Sequence, residues 1–113
     1  AVIFFDYQVV VVKAWERIIS EFIHAYQTGS FSRQEQHALM GLILASFDDY
    51  LAAEAAPDPA VEHTICTLLE QQWQDFHPLV RYWSLIDEDM DDGFHITPIM
   101  RKLWTRHAKP QPG

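Results

Sequence analysis

From Asp6 onward, apolar residues return at steps of three and four, the period of a helix that buries one stripe. Val11, Trp15, Ile18, Phe22 and Tyr26 follow that step, Ile19 and Ile23 widen it, and Lys13, Glu16, Arg17, Ser20, Glu21 and His24 take the other side. The pattern predicts a first helix. Its start is open, because the β-branched residues 9–12 are poor helix formers and, with the apolar residues 2–5, allow the first dozen positions to be extended. Thr28, Gly29 and Ser30 end this helix, with Gly29 expected in the left-handed conformation that glycine tolerates. Ser32 and Glu35 then have the spacing of a capping box that opens the next one.

The second helix carries Leu39, Met40, Ile43, Leu44, Phe47, Tyr50 and Leu51 on a broad apolar face and is expected to reach about Ala55, before Pro57. Its back is a strip of small residues, Gly41, Ala45 and Ala52, interrupted by Asp48 and followed by Asp49. Such a strip either admits another helix closely or holds two carboxylates clear of neighbours. Asp58 as N-cap and Pro59 at the first helical position start a third helix, with Val61, Ile65, Leu68, Leu69, Trp73 and Phe76 facing inward. Pro78 is expected to kink or restart it, so that Leu79, Tyr82, Trp83 and Ile86 bury in a new direction. Residues 87–93 form an acidic turn, and Thr97-Pro98 caps a last helix in which Ile99, Met100, Leu103 and Trp104 alternate with Arg101, Lys102 and Arg106. The pattern reads as all-α, one compact bundle of four to five helices over residues 1–113, with 107–113 a frayed tail. The expected core includes Leu39, Ile43, Phe47, Ile65, Leu69, Trp73 and Leu103.

Composition narrows the function. Of 113 residues, 49% are hydrophobic, enough for one ordinary core, and a single cysteine, Cys66, excludes an internal disulfide. No apolar run approaches the roughly 20 residues that a bilayer requires, so no membrane partner is expected. No basic segment precedes an apolar stretch near Ala1, and a cytoplasmic location is the expectation. Sixteen acidic residues against eight basic ones give a net charge of −8, which disfavours direct contact with nucleic acid phosphates.

Three constellations invite chemistry. Asp87, Asp89 and Asp91 have the one-three-five spacing of an EF-hand loop, yet Asp92 stands where that loop needs glycine and Pro98 where it needs a bidentate Glu. Glu21 and His24 have the Glu-x-x-His spacing of di-iron bundles, but no second pair accompanies them. Neither metal nor other cofactor is expected. Cys66 has no basic neighbour in sequence and reads as a small apolar residue. Arg101 and His107 near the end of the chain resemble the Arg and His of HEPN ribonucleases, which would imply His107 in acid-base catalysis and Arg101 on the phosphate. On a regular helix the two would stand about 120° apart. The simpler reading places Arg101, Lys102, Arg106 and His107 as cations at a helix C-terminus, favoured by the helix dipole.

Four Trp, four Tyr and seven Phe exceed what one small core needs, and Tyr82, Trp83 and Phe94 flank the acidic turn. Aromatic anchors beside carboxylates are the composition of energetic hot spots at protein interfaces. The candidate binding residues are therefore Trp83, Asp87, Glu88, Asp89, Asp91, Asp92 and Phe94, with Asp48 and Asp49 as a second cluster. In size, acidity, helical make-up and its carboxylate-rich turn before a Trp-bearing last helix, the chain resembles the small immunity proteins of bacterial contact-dependent growth inhibition and related polymorphic toxin systems. The resemblance implies a non-enzymatic inhibitor that binds a cognate basic toxin, a nuclease foremost, over or beside its active site. The alternatives are a HEPN-like ribonuclease and a helical adaptor or antitoxin-like regulator.

Overall fold

A computed structural model describes residues 7–54, 56–89 and 93–108. Among the described residues it holds five helices and no strand: α1 (Tyr7–Thr28), α2 (Arg33–Ala53), α3 (Pro59–Gln71), α4 (Trp73–Ser84) and α5 (Thr97–Ala108). The protein is all-α. Residues 7–12 are helical, so β-branching does not prevent the helix there, and residues 1–6 lie outside the description. α5 runs through His107 and Ala108, the first two positions of the expected tail; residues 109–113 also lie outside the description. No described helix is long and apolar enough to cross a membrane. The chain divides into two compact units, Ala1–Pro57 with α1 and α2, and Asp58–Gly113 with α3, α4 and α5.

In the first unit α1 packs on α2. The fully buried side chains of α2 are Met40, Ile43, Leu44, Phe47 and Tyr50, as the expected face required, while Leu39 and Leu51 are half-buried. On α1 the buried positions are Val12 and Ile19, and Val11, Trp15, Ile18, Phe22 and Tyr26 are only half-buried. Ile19 belongs to the expected face, while Val12 shows the packing centred one position past the row Val11, Trp15 and Ile18. Glu16, expected on the polar side, falls between Val12 and Ile19 at helical steps and accepts a 3.0 Å hydrogen bond from the Tyr50 hydroxyl. The cause is the tyrosine: once its ring is buried its O–H needs an acceptor, and a carboxylate on the facing helix supplies one.

Two ends of this unit follow local chemistry. At the start of α2 the Ser32 hydroxyl accepts from the Glu35 N–H at 3.1 Å, and the Glu35 carboxylate accepts from the Ser32 N–H at 2.9 Å. Gly29 is not left-handed, contrary to expectation. Its N–H donates to the Ala25 carbonyl at 2.8 Å, and a Cβ added there would run into both that oxygen and the Phe31 ring. Glycine is needed for space.

In the second unit Asp58 caps α3 through a 2.9 Å bond from the Ala60 N–H, with Pro59 at the helix start as expected. The break after α3 falls at Gln72 (φ −124°, ψ 49°) and not at Pro78, which lies inside α4. The Gln72 carbonyl accepts from the N–H groups of Asp75 and Phe76, restarting the helix at once. A straight helix over 59–84 would extend about 39 Å. The break shortens it, and α4 makes its main packing on α5, with Phe76 and Val80 fully buried on α4 and Met100 and Leu103 on α5. Ile65, Leu68 and Leu69 are the buried residues of α3.

Candidate protein-binding surface

The end of α4 positions the surface. Leu85 adopts a left-handed conformation (φ 46°, ψ 51°), a position usually given to glycine. A branched side chain is disfavoured there by about 1 kcal/mol or more, and α5 compensates from outside the turn. The Arg101 guanidinium donates to three carbonyls at once, Ser84 at 2.7 Å, Leu85 at 2.6 Å and Glu88 at 2.6 Å. The Thr97 hydroxyl, fully buried, donates to the Trp83 carbonyl at 2.9 Å and accepts from the Phe94 N–H at 2.8 Å. Thr97 was expected as a helix cap; instead its hydroxyl ties the two aromatic-bearing segments together, and the Ile96 carbonyl accepts the first bond of α5 from Met100. Carbonyls at a helix end carry partial negative charge, so a guanidinium is the fitting group to close them.

On this clamp sit three rings. Trp83 and Phe94 are half-buried with centroids 4.6 Å apart, Tyr82 meets Trp83 edge-on at 5.5 Å, and Tyr82 stacks on Phe94 at 6.2 Å. Tyr82, expected to bury, is 61% exposed. Asp87, Glu88 and Asp89 follow on the turn, all exposed. Arg81 reaches back to Asp87 at 3.5 Å, and its guanidinium lies 5.5 Å from the Trp104 ring centre. Asp91 and Asp92 lie outside the described residues. Asp48 and Asp49 belong to the first unit, Asp48 half-buried and Asp49 exposed. About two helical turns before Asp48, a Cβ added to Gly41 would meet nothing within 4 Å, so no described group approaches the small-residue strip at that point.

The other candidates separate. His107 stacks on Trp73 (centroids 4.3 Å apart, planes at 24°) and its Nε2 is 2.8 Å from a Glu70 oxygen, the other oxygen of which accepts from Arg106 at 3.3 Å. Arg101 is engaged at the end of α4 and His107 on α3, so the two do not share a partner. Trp73, expected in the core, is half-buried in this second aromatic cluster with His77 and Trp104. Cys66 lines a groove of about 220 Å³ between α3 and α5, below the volume of an ordinary small-molecule site. Burial, then the charges of Glu62 and Glu70, pushes its thiol up to about 11, so it is protonated at neutral pH and a poor nucleophile there. Glu21 and His24 are exposed on α1. Among the described residues no group of three or more His, Cys, Asp or Glu is placed to hold a metal ion.

Sequence reading missed the clamp. In the sequence Arg101 stands out as a cation near a helix end and as the arginine of a HEPN-like pair, and nothing at spacing three or four marks a bond made to carbonyls 13 to 17 residues earlier. No protein-family model, curated protein or solved structure matches the chain.

Proposed function

We propose that this protein is an inhibitor of the immunity type, which binds and neutralises a cognate basic toxin in the cytoplasm, a nuclease foremost, by covering its active site or the surface beside it. One observation carries the reading: Tyr82, Trp83 and Phe94 form a ring cluster next to the exposed carboxylates of Asp87, Glu88 and Asp89, on a turn held by Arg101. Aromatic anchors on a preorganised surface lose little conformational entropy on binding, and carboxylates beside them steer and pair with the lysines and arginines that attract phosphate to a nuclease cleft. The net charge of −8 acts in the same sense at long range. The ribonuclease alternative would need Arg101 turned toward a phosphate, and its guanidinium is already engaged by three carbonyls.

The test is co-expression with the product of the adjacent reading frame, followed by binding kinetics at two salt concentrations. A stoichiometric complex that abolishes the partner's toxicity supports the reading. Replacing Asp89 and Asp91 by Lys should slow association and weaken its salt dependence, while Trp83→Ala should raise the dissociation rate and cost about 2 kcal/mol or more. Neutralisation that survives both changes would move the contact elsewhere on the molecule, and RNA cleavage by the chain alone, lost in His107→Ala, would replace the inhibitor reading with the ribonuclease one.

A further inference from the structure

Beside the three rings the second unit carries a groove. Pro78, Tyr82, Leu85 and Ile86 give it an apolar lining, and Arg81, Asp87 and Glu88 line it with charge. A groove lined by apolar side chains and carboxylates together matches a side chain with an aliphatic stem and a cationic head. Guanidinium fits better than ammonium, because it lies flat on aromatic rings and can place two N–H groups on one carboxylate. The protein already brings one guanidinium to a ring and a carboxylate: that of Arg81 lies 5.5 Å from the Trp104 ring centre and 3.5 Å from Asp87. This pair is loose. With Arg81 54% and Asp87 85% exposed, it belongs to the class of surface ion pairs that contribute little and exchange readily. The groove is also preformed, since Arg101 fixes the backbone of Leu85 and Glu88.

We propose that the groove receives an arginine side chain from a basic partner, and that Arg81 is an internal occupant of Asp87 displaced when that guanidinium arrives. The inference rests on the inhibitor reading for what the partner is, but its probe does not. The full chain, labelled with nitrogen-15, is titrated with a hexa-arginine peptide, a hexacitrulline peptide of the same shape without charge, and a hexalysine peptide. Shifts should concentrate at Tyr82, Leu85, Ile86, Asp87 and Glu88 with hexa-arginine, be weaker with hexalysine and be absent with hexacitrulline. Arg81→Gln, which frees Asp87, should tighten hexa-arginine binding by about threefold, and Asp87→Asn with Glu88→Gln should weaken it by about fivefold. All three positions are exposed, so unchanged helical circular dichroism is expected for each variant.

Shifts spread evenly over exposed carboxylates such as Glu21 and Asp49, equal binding of hexalysine, or an Arg81→Gln variant that binds no more tightly would each overturn the assignment. Its failure is separable from that of the inhibitor reading. A groove that seats hexa-arginine in a protein that leaves the adjacent gene product toxic keeps the site and removes the inhibitor. Full neutralisation by the Asp87→Asn, Glu88→Gln variant, with no peptide in the groove, does the reverse.

Discussion

The start of α2 and the end of α4 solve the same physical problem by different means. A helix terminus leaves backbone groups without intrahelical partners. At α2 the partners are local: Ser32 and Glu35, three residues apart, satisfy each other's N–H groups. At α4 they are distant: Arg101 and Thr97, on another helix, bind the carbonyls of Trp83, Ser84, Leu85 and Glu88. A local cap stabilises one helix and little else. A distant clamp makes the turn depend on the packing of α4 against α5, and so gives the aromatic and acidic side chains around it a defined geometry. The surface proposed to meet a partner is thus the one built on non-local bonds.

The largest effect expected from breaking either region is in the cores beneath them. Phe47→Ala in the first unit should cost about 3 to 5 kcal/mol and Ile65→Ala in the second about 2 to 5, because each is fully buried and each truncation leaves a cavity. Urea unfolding followed by circular dichroism measures both, and an unmoved midpoint would show the side chain is not part of the core.

Arg101→Met comes next and tests the clamp directly. It keeps most of the aliphatic stem but removes three charge-assisted bonds, so a loss of about 3 kcal/mol is expected, with the amides around residues 85–88 exchanging faster than those of α2. Uniform exchange across the two regions would mean that the clamp does not set the turn. Arg101→Lys should recover only part of the loss, since an ammonium cannot spread over three carbonyls with the geometry of a guanidinium.

Tyr50→Phe probes the polar bond that the fully buried Tyr50 of α2 makes to Glu16 of α1. It removes the donor to Glu16 and leaves that carboxylate half-buried, which should cost about 1 kcal/mol in thermal melts. A variant as stable as the parent would mean that water replaces the hydroxyl at no cost.

An effect no larger than that of Tyr50→Phe concerns the local cap. Ser32→Ala should lower stability by about 1 kcal/mol at neutral pH. The Glu35 carboxyl is held below its ordinary value of 4.5, first by the Ser32 N–H and then by the Ser32 hydroxyl. Because its folded value is depressed, the contribution of Glu35 is complete above 4.5 and fades as pH falls through the lower, folded value. Ser32→Ala keeps the N–H and removes only the hydroxyl, so melting curves well below the ordinary carboxylate value should bring parent and variant partly closer together, and a gap that widens in acid would contradict the reciprocal cap.

What residue order determined alone is whatever depends on neighbours three or four positions apart. Helical class, the Ser32–Glu35 box, the Asp58-Pro59 start, and Ile43, Phe47, Ile65, Leu69 and Leu103 as core all follow from periodicity and capping chemistry. The tertiary structure decided the rest. Only packing placed Glu16 opposite Tyr50, 34 positions away, and only packing stacked His107 on Trp73 with Glu70 at hand, 37 positions earlier. It likewise moved the helix break to Gln72 and turned Arg101 from a terminal cation into the clamp of a left-handed Leu85. Local hydrogen bonds are encoded in residue spacing because the helix itself fixes their geometry, whereas a bond between helices exists only after burial has set their rotation, and a rotation of one position is enough to exchange which side chains meet.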